Sequence, residues 1–351
     1  MKVLTVVGAR PQFIKAAPVS REIRKVAHEV LVHTGQHFDA NMSDVFFDEL
    51  DIPKPDYHLG IGGGSHGVMT GEMLAALEAV IQQEKPDWVL VYGDTNSTLA
   101  GGLAAAKLHV PVAHVEAGLR SFNRDMPEEI NRILVDHLST LLFAPTDNAV
   151  DCLAREGIMR GVHQTGDVML DATRMFLPRA EERRSVLAKL GLAPDGYILA
   201  TVHRAENTDE DSRLRGIFRA FGEMTDRILL PLHPRTRKQL DAFGITLPGN
   251  VQVIEPVGYL DMLLLESKAK AILTDSGGVQ KEAAFLQIPC VTLRDETEWT
   301  ETVTTGWNTL VGTDPEAIRR AVETIQRPEK PVMAFGEGKA SSHIAAVLRA
   351  G

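Results

Sequence analysis

The sequence predicts an α/β chain built as two doubly wound domains, each around a parallel sheet. Two observations carry that expectation. Short β-branched runs alternate with longer helical patterns almost throughout, as in a parallel sheet covered by helices on both faces. The alternation also restarts near the middle of a chain of 351 residues, more than one hydrophobic core usually holds.

Lys2–Val7 reads as the first buried strand, ended by Gly8, and a helix follows over about 12–26. Residues 29–34 are the next strand. Trp88–Tyr92, Val112–Val115 and Leu141–Ala144 repeat the pattern, each leading into a helix. The second series runs through 197–202, 227–230, Val251–Ile254, Ala271–Thr274 and 290–293. Between the series, about 169–192 has helical character without clear strands. The boundary is therefore placed near 166–170, giving domains 1–168 and 169–339. A loose segment, 327–339, precedes a last helix within 340–351 that can pack back on the first domain.

Composition narrows the partners. An apolar fraction of 44% and a charged fraction of 24% are ordinary globular values. Aromatics at 5% disfavour stacking platforms for single-stranded nucleic acid. The net charge is −10 and no run of Lys or Arg interrupts it, so neither nucleic acid nor an anionic membrane is expected as a partner. A polyanionic ligand would need a local positive pocket. No apolar stretch reaches membrane-spanning length. Met1 leads straight into a strand, so a secretory signal is not expected. Cys152 and Cys290 read as free thiols in a reducing cytoplasm, and neither has a Cys or His at zinc-ligand spacing. No metal is expected.

In doubly wound sheets ligands bind beyond the carboxyl ends of the strands, so chemistry is sought there. Gly8 to Lys15 form the first such turn. Pro11 suits a helix start, its amides can hold an anion, and Arg10 and Lys15 add positive charge. The plainer reading is a tight turn with two solvated cations. Thr274-Asp275-Ser276-Gly277-Gly278 follows an apolar strand and opens a helix, so its amides can cradle phosphate oxygens, with Glu282 placed for sugar or ribose hydroxyls. Alternatively Ser276 is only an N-cap. Asp94 follows the strand ending at Tyr92, as proton-transfer acid or as N-cap. Glu116 sits at the tip of the next strand, where a carboxylate is costly without a role or a partner such as Arg120. Glu128 and Glu129 begin a helix, and one of them can be purely structural. Three carboxylates at one rim can have raised pKa values suited to moving protons. In the second domain His203 and Arg204 end the first strand and His233 the next; each suits an anion, and each has the plainer reading of a hydrogen-bonded loop residue. Taken together, an anion cradle and an acid-rich rim fit a sugar nucleotide.

Those motifs, in this order and spacing over about residues 1–315, closely resemble the non-hydrolysing UDP-N-acetylglucosamine 2-epimerases. They are Gly8-Ala9-Arg10-Pro11, Tyr92-Gly93-Asp94-Thr95, His114 to Arg120, Pro127 to Arg132, His203-Arg204-Ala205-Glu206, Leu232-His233-Pro234-Arg235 and Thr274 to Gly278. The resemblance implies the GT-B fold, two Rossmann-like domains with the substrate in a cleft between them. It implies that UDP leaves C1 as the C2 proton is removed, giving a 2-acetamidoglucal, and re-adds after C2 is protonated on the opposite face. It implies UDP-sugar and UDP as ligands, and no cofactor. Asp94, Glu116 and Glu128 match the family's acid/base carboxylates and His203 its active-site histidine. Ser276, Gly277, Gly278 and Glu282 match its diphosphate and ribose contacts, and Arg10 and Lys15 its first-turn cations.

The chain departs from the family in places. Many members have His-Arg-Glu after the second strand, and in some that region contributes to an activating UDP-N-acetylglucosamine site; here the stretch reads Thr34-Gly35-Gln36-His37-Phe38-Asp39, which argues against such activation. That stretch and Thr297-Glu298-Trp299 also look like a branch acting on UDP-2,3-diacetamido-2,3-dideoxyglucuronate, which stays open as a second substrate. A GT-B glycosyltransferase is the alternative from another class, although it needs one dominant base rather than three acids. A homodimer is the expected assembly, an expectation that no particular segment carries.

Overall fold

The structure, a computed structural model, describes residues 1–36, 47 and 49–351. His37, Phe38 and Asp39 of the departing stretch lie outside the described residues. The chain forms two compact units, Met1–Met175 with Met333–Gly351, and Phe176–Val332.

The first unit holds a seven-stranded sheet of β1 (Lys2–Val7), β2 (His28–His33), β3 (Tyr57–His58), β4 (Trp88–Tyr92), β5 (Val112–Val115), β6 (Leu141–Ala144) and β7 (Val162–Gln164). Their order is β3-β2-β1-β4-β5-β6-β7, and all pairs are parallel. The central strands read as continuous apolar runs because both of their faces are covered. On one face Leu4, Val6, Val30, Val32, Val89 and Val91 pack with Met73 and Leu77 of the helix His66–Glu84.

The second unit repeats the plan with β8 (Ile198–Thr201), β9 (Ile228–Pro231), β10 (Val251–Ile254), β11 (Ala271–Thr274), β12 (Cys290–Thr292) and β13 (Asn308–Leu310). Its order is β10-β9-β8-β11-β12-β13, again all parallel. In each unit the chain builds outward on one side of its first strand and then crosses to the other side. The order therefore reverses between β1 and β4, and between β8 and β11.

Three short strands were not anticipated. β3, β7 and β13 each have two or three residues and lie at sheet edges, where there is too little sequence to show alternation. The units divide between Met175 and Phe176, within the helix Val168–Glu181, rather than near 168. No glycine or proline separates Val168 from Leu177, so nothing breaks the helix at the earlier point.

The final helix, Ala340–Ala350, belongs to the first unit and packs on the helix Arg10–Ile23. Its first amides are held by Asp171, which accepts from Ala340 N at 3.2 Å and Ser341 N at 2.7 Å. Asp171→Ala strands both buried amides, so it should lower stability by about 1–3 kcal/mol. A denaturant midpoint indistinguishable from the parent chain's would show that this cap does not hold the helix.

Candidate active site

In the first unit the switch between β1 and β4 gathers several of the expected residues. Pro11 allows the helix Arg10–Ile23 to start directly after Ala9. Gln12, buried, accepts from the amides of Gly8 and Ala9 at 2.8 and 3.0 Å and donates to the Tyr92 carbonyl at 2.8 Å. It thereby ties the turn after β1 to the turn after β4. The Gly8 and Ala9 amides are committed to this bridge. Arg10, half-buried, and Lys15 carry the positive charge there.

The Lys15 ammonium pairs with the Glu116 carboxylate, and both side chains are largely buried. The plainer reading that paired Glu116 with Arg120 is corrected. Arg120 makes two 2.7 Å bonds to Glu156, one to Asp136 and one to the Leu119 carbonyl, which leaves it no reach toward Glu116. Glu116 also has left-handed backbone, φ 71°, which costs of order 1–3 kcal/mol for a residue with a β-carbon. The turn is held by the Phe143 carbonyl, which accepts from Glu116 N and Ala117 N at 3.1 and 3.2 Å. A β-carbon on Gly93 would lie 3.4 Å from both the Glu116 carboxylate and the Lys15 ammonium, so that pair stands beside the residue preceding Asp94.

Asp94 is not an N-cap. Thr95 caps the helix Asn96–Lys107 instead. Arg132 donates to one oxygen of Asp94 through Nε at 3.0 Å and Nη2 at 2.7 Å. The sequence shows Arg132 only as part of a motif, without a role, although it lies one turn beyond Glu128 on the helix Pro127–Leu138. Its Nη1 donates to Glu129 at 2.8 Å. The two helix-start acids now separate. Glu129 is buried; burial alone would raise its carboxyl, but bonds from the Ser121 and Phe122 amides and from Arg132 outweigh that and hold it below the ordinary range. Glu129 is thus structural, whereas Glu128 is exposed.

In the second unit the switch between β8 and β11 is organised by Asp275, which the sequence showed only as part of a motif. Its fully buried carboxylate accepts from His203 N at 2.9 Å, Arg204 N at 3.0 Å and Asn207 Nδ2 at 3.2 Å, fixing the turn after β8 from the end of β11. The His203 ring is half-buried, with Nδ1 3.5 Å from Asp275, and stands 5.6 Å centroid to centroid from His233. His233 is the N-cap of the helix Pro234–Phe243 and accepts from Arg235 N at 3.2 Å.

Ser276 occupies the N-cap of the helix Gly277–Phe285, but its hydroxyl makes no capping hydrogen bond, so this serine is not spent as a cap. The two glycines serve different ends. A β-carbon on Gly278 would meet only Ser276 Oγ, at 3.9 Å, whereas one on Gly277 would come within 2.7 Å of Glu298. Gly277 is thus required by packing inside the protein, and Gly278 leaves open space in front of the helix start. Lys281 turns inward, its ammonium 3.9 Å from the Trp299 ring centroid. Glu282, one turn into the helix, is buried.

Comparison with known proteins gives this geometry a family. Residues 21–349 match the family described as UDP-N-acetylglucosamine 2-epimerase. The chain is 54% identical to a UDP-N-acetylglucosamine 2-epimerase homolog of Methanococcus maripaludis and 55% identical to the UDP-2,3-diacetamido-2,3-dideoxy-D-glucuronate 2-epimerase of Pseudomonas aeruginosa, over 99% of both chains in each case. The crystal structure of the Methanocaldococcus jannaschii UDP-GlcNAc 2-epimerase, in complex with UDP-GlcNAc and UDP, superposes with a TM-score of 0.93 at 47% identity over the whole of both chains. Two Rossmann-like parallel-sheet units of this kind make up the GT-B type of fold.

The difference between the glycines is testable. Gly277→Ala forces its methyl onto Glu298 and should cost about 1–3 kcal/mol of stability, as overpacking does. Gly278→Ala should leave the thermal midpoint within a degree or two (about 0.5 kcal/mol, as for substitutions into open space). Equal losses in the two variants would contradict the assignment.

Proposed function

The chain belongs to the UDP-N-acetylglucosamine 2-epimerase family, and from that premise we propose that it converts UDP-N-acetylglucosamine to UDP-N-acetylmannosamine without hydrolysing it. The observation that carries this reading is the paired arrangement at the first switch point. Glu116 and Asp94 end neighbouring strands, and each faces its own cation, Lys15 and Arg132. Inverting a carbon needs a base on one face and an acid on the other, and two separately held carboxylates meet that need.

The C2 hydrogen has no carbonyl beside it, so an enolate route is closed. As the C1–O bond breaks, its electron pair leaves with UDP and positive charge develops at C1. The C2 proton then passes to a carboxylate, the C–H pair forms the C1–C2 double bond, and 2-acetamidoglucal and UDP result. A second acid delivers a proton to the opposite face of C2, UDP re-adds at C1, and no net oxidation occurs. Asp94, Glu116 and Glu128 move the protons and stabilise the charge at C1. The amides at the start of the helix Gly277–Phe285, with Ser276 and Gly278, receive the diphosphate, as oriented N–H groups do for anions. Glu282 accepts from ribose hydroxyls. His203, Arg204 and His233 follow the strands of the same unit and neutralise the departing UDP.

A second substrate reading has its own support, the 55% identity to the diacetamido-glucuronate enzyme. Such a sugar adds a carboxylate at C5. Arg120 is fully engaged by Asp136 and Glu156, so the cation for it would be Arg124 or Arg204. The ratio of kcat/KM for the two sugar nucleotides decides between them. A higher value for UDP-N-acetylglucosamine is expected, and a strong preference for the uronate would replace that substrate.

Asp94→Asn, Glu116→Gln and Glu128→Gln should each lower kcat by ~10²–10⁴, the usual loss for an acid/base group. UDP affinity, read by calorimetry, should hold. A variant with parental kcat removes that carboxylate from the reaction. Gly278→Val should instead weaken UDP binding while leaving the fold intact, and unchanged affinity would sink the diphosphate assignment.

A further inference from the structure

His114 lies near the end of β5 and is wholly buried, and its two ring nitrogens reach in different directions. Nε2 is 2.7 Å from the carbonyl oxygen of Gly93, the residue before Asp94. Nδ1 is 2.8 Å from Oδ1 of Asp136, on the helix Pro127–Leu138. A carbonyl oxygen only accepts, so Nε2 must carry hydrogen.

The other side needs the state of Asp136. Its Oδ2 accepts from Arg120 Nη1 at 2.7 Å and from the Gly118 amide at 3.1 Å. Burial opposes its charge, but the bonds from His114 and Arg120 outweigh burial, and its carboxyl lies below the ordinary range. Independently of the ring, the Arg120 guanidinium and the Gly118 amide on Oδ2 hold this group as a carboxylate, whose Oδ1 can only accept, so Nδ1 must carry hydrogen as well. A neutral imidazole has one N–H and cannot make both bonds.

We propose that His114 is a positioning residue held as an imidazolium, joining the Gly93–Asp94 turn to the Glu116–Gly118 turn through Asp136. Arg120 links Asp136 to Glu156, a partly exposed carboxylate that His137 Nε2 approaches to 3.5 Å. A neutral ring would turn a lone pair onto one of the two oxygens it faces and leave that contact without a hydrogen, which is costly inside the protein. Through its two N–H groups the ring sets the spacing of two turns that lie on adjacent strands, and through them the carboxylates of Asp94 and Glu116. Catalytic carboxylates need placing to about half an ångström. Gly118, at φ 83° and with its would-be β-carbon 2.3 Å from the Ala149 carbonyl, brings its amide to Asp136 in a way that other residues cannot.

The kinetic consequence rests on the reading of Asp94 and Glu116 as proton-moving groups; the protonation of the ring does not. The decisive experiment is nitrogen-15 NMR of the full chain with labelled histidine at neutral pH, the His114 ring being assigned through its proximity to the Gly93 and Val115 amides. Both ring nitrogens should show the protonated signature, with two N–H signals that exchange slowly. A single neutral tautomer would overturn the proposal. In parallel, His114→Gln should lose about 10²-fold in kcat, the scale of a 1 Å misplacement, with UDP affinity unchanged. Parental kcat in that folded variant would overturn the positioning role. Should the variant not fold, the ring spectrum of the parent chain still decides. Full activity of Glu116→Gln would refute the carboxylate reading instead, and leave the spectrum unaffected.

Discussion

In a doubly wound parallel sheet the two strands at the order reversal send their crossovers to opposite faces, so the loops that follow them part and leave a crevice at their carboxyl ends. β1 and β4 stand in that relation in the first unit, and β8 and β11 in the second. The side chains with chemical promise follow from it. Lys15 comes from the helix after β1 and Asp94 from the turn after β4, with Glu116 one strand further on. His203 and Arg204 follow β8, and Asp275 to Gly278 follow β11. Gln12 and Asp275 perform the same service in their respective units. Gln12 bonds the main chain of both parting loops, and Asp275, itself on the loop after β11, bonds the main chain of the loop after β8, so neither crevice depends on loop rigidity alone.

On the proposed function, a chain with a net charge of −10 has to meet a nucleoside diphosphate with local positive potential. It does not do so by massing cations on the glycine loop. Lys281, the one lysine there, is turned inward onto Trp299, and the helix start offers main-chain amides and the Ser276 hydroxyl instead. Cations are used elsewhere as partners of individual carboxylates, Lys15 for Glu116 and Arg132 for Asp94. Such pairing gives each carboxylate its own positive neighbour and offsets the repulsion among acids at one rim.

Much of this was legible in the sequence, for a definite reason. A central strand of a parallel sheet must be apolar on both faces, so β1, β4, β5, β8 and β11 announce themselves, and the residues after them make up the candidate site. What the sequence concealed was pairing. Glu116 and Arg120 are four residues apart and look like partners, yet the left-handed turn at Glu116 and Gly118 sends them apart, Glu116 to Lys15 and Arg120 to Asp136 and Glu156. Asp94 looked like a cap because it precedes a helix by one residue too many to see. Arg132 could have been found from its place one turn past Glu128, and Asp275 from being a charged residue at the buried end of a strand. The bonds from Gln12 to the Tyr92 carbonyl and from His114 to the Gly93 carbonyl could not, because they join groups distant in sequence.

The central claim is that carboxylates of this chain carry the C2 proton away and return another to the opposite face while UDP is detached. Epimerisation run in D2O tests this most directly, with the product examined by NMR at C2. The account requires the epimerised sugar to carry deuterium there, because the returning proton comes from a side chain that exchanges with solvent. Full turnover with the original C2 hydrogen retained would mean internal return or a route through a ketone, and would contradict it.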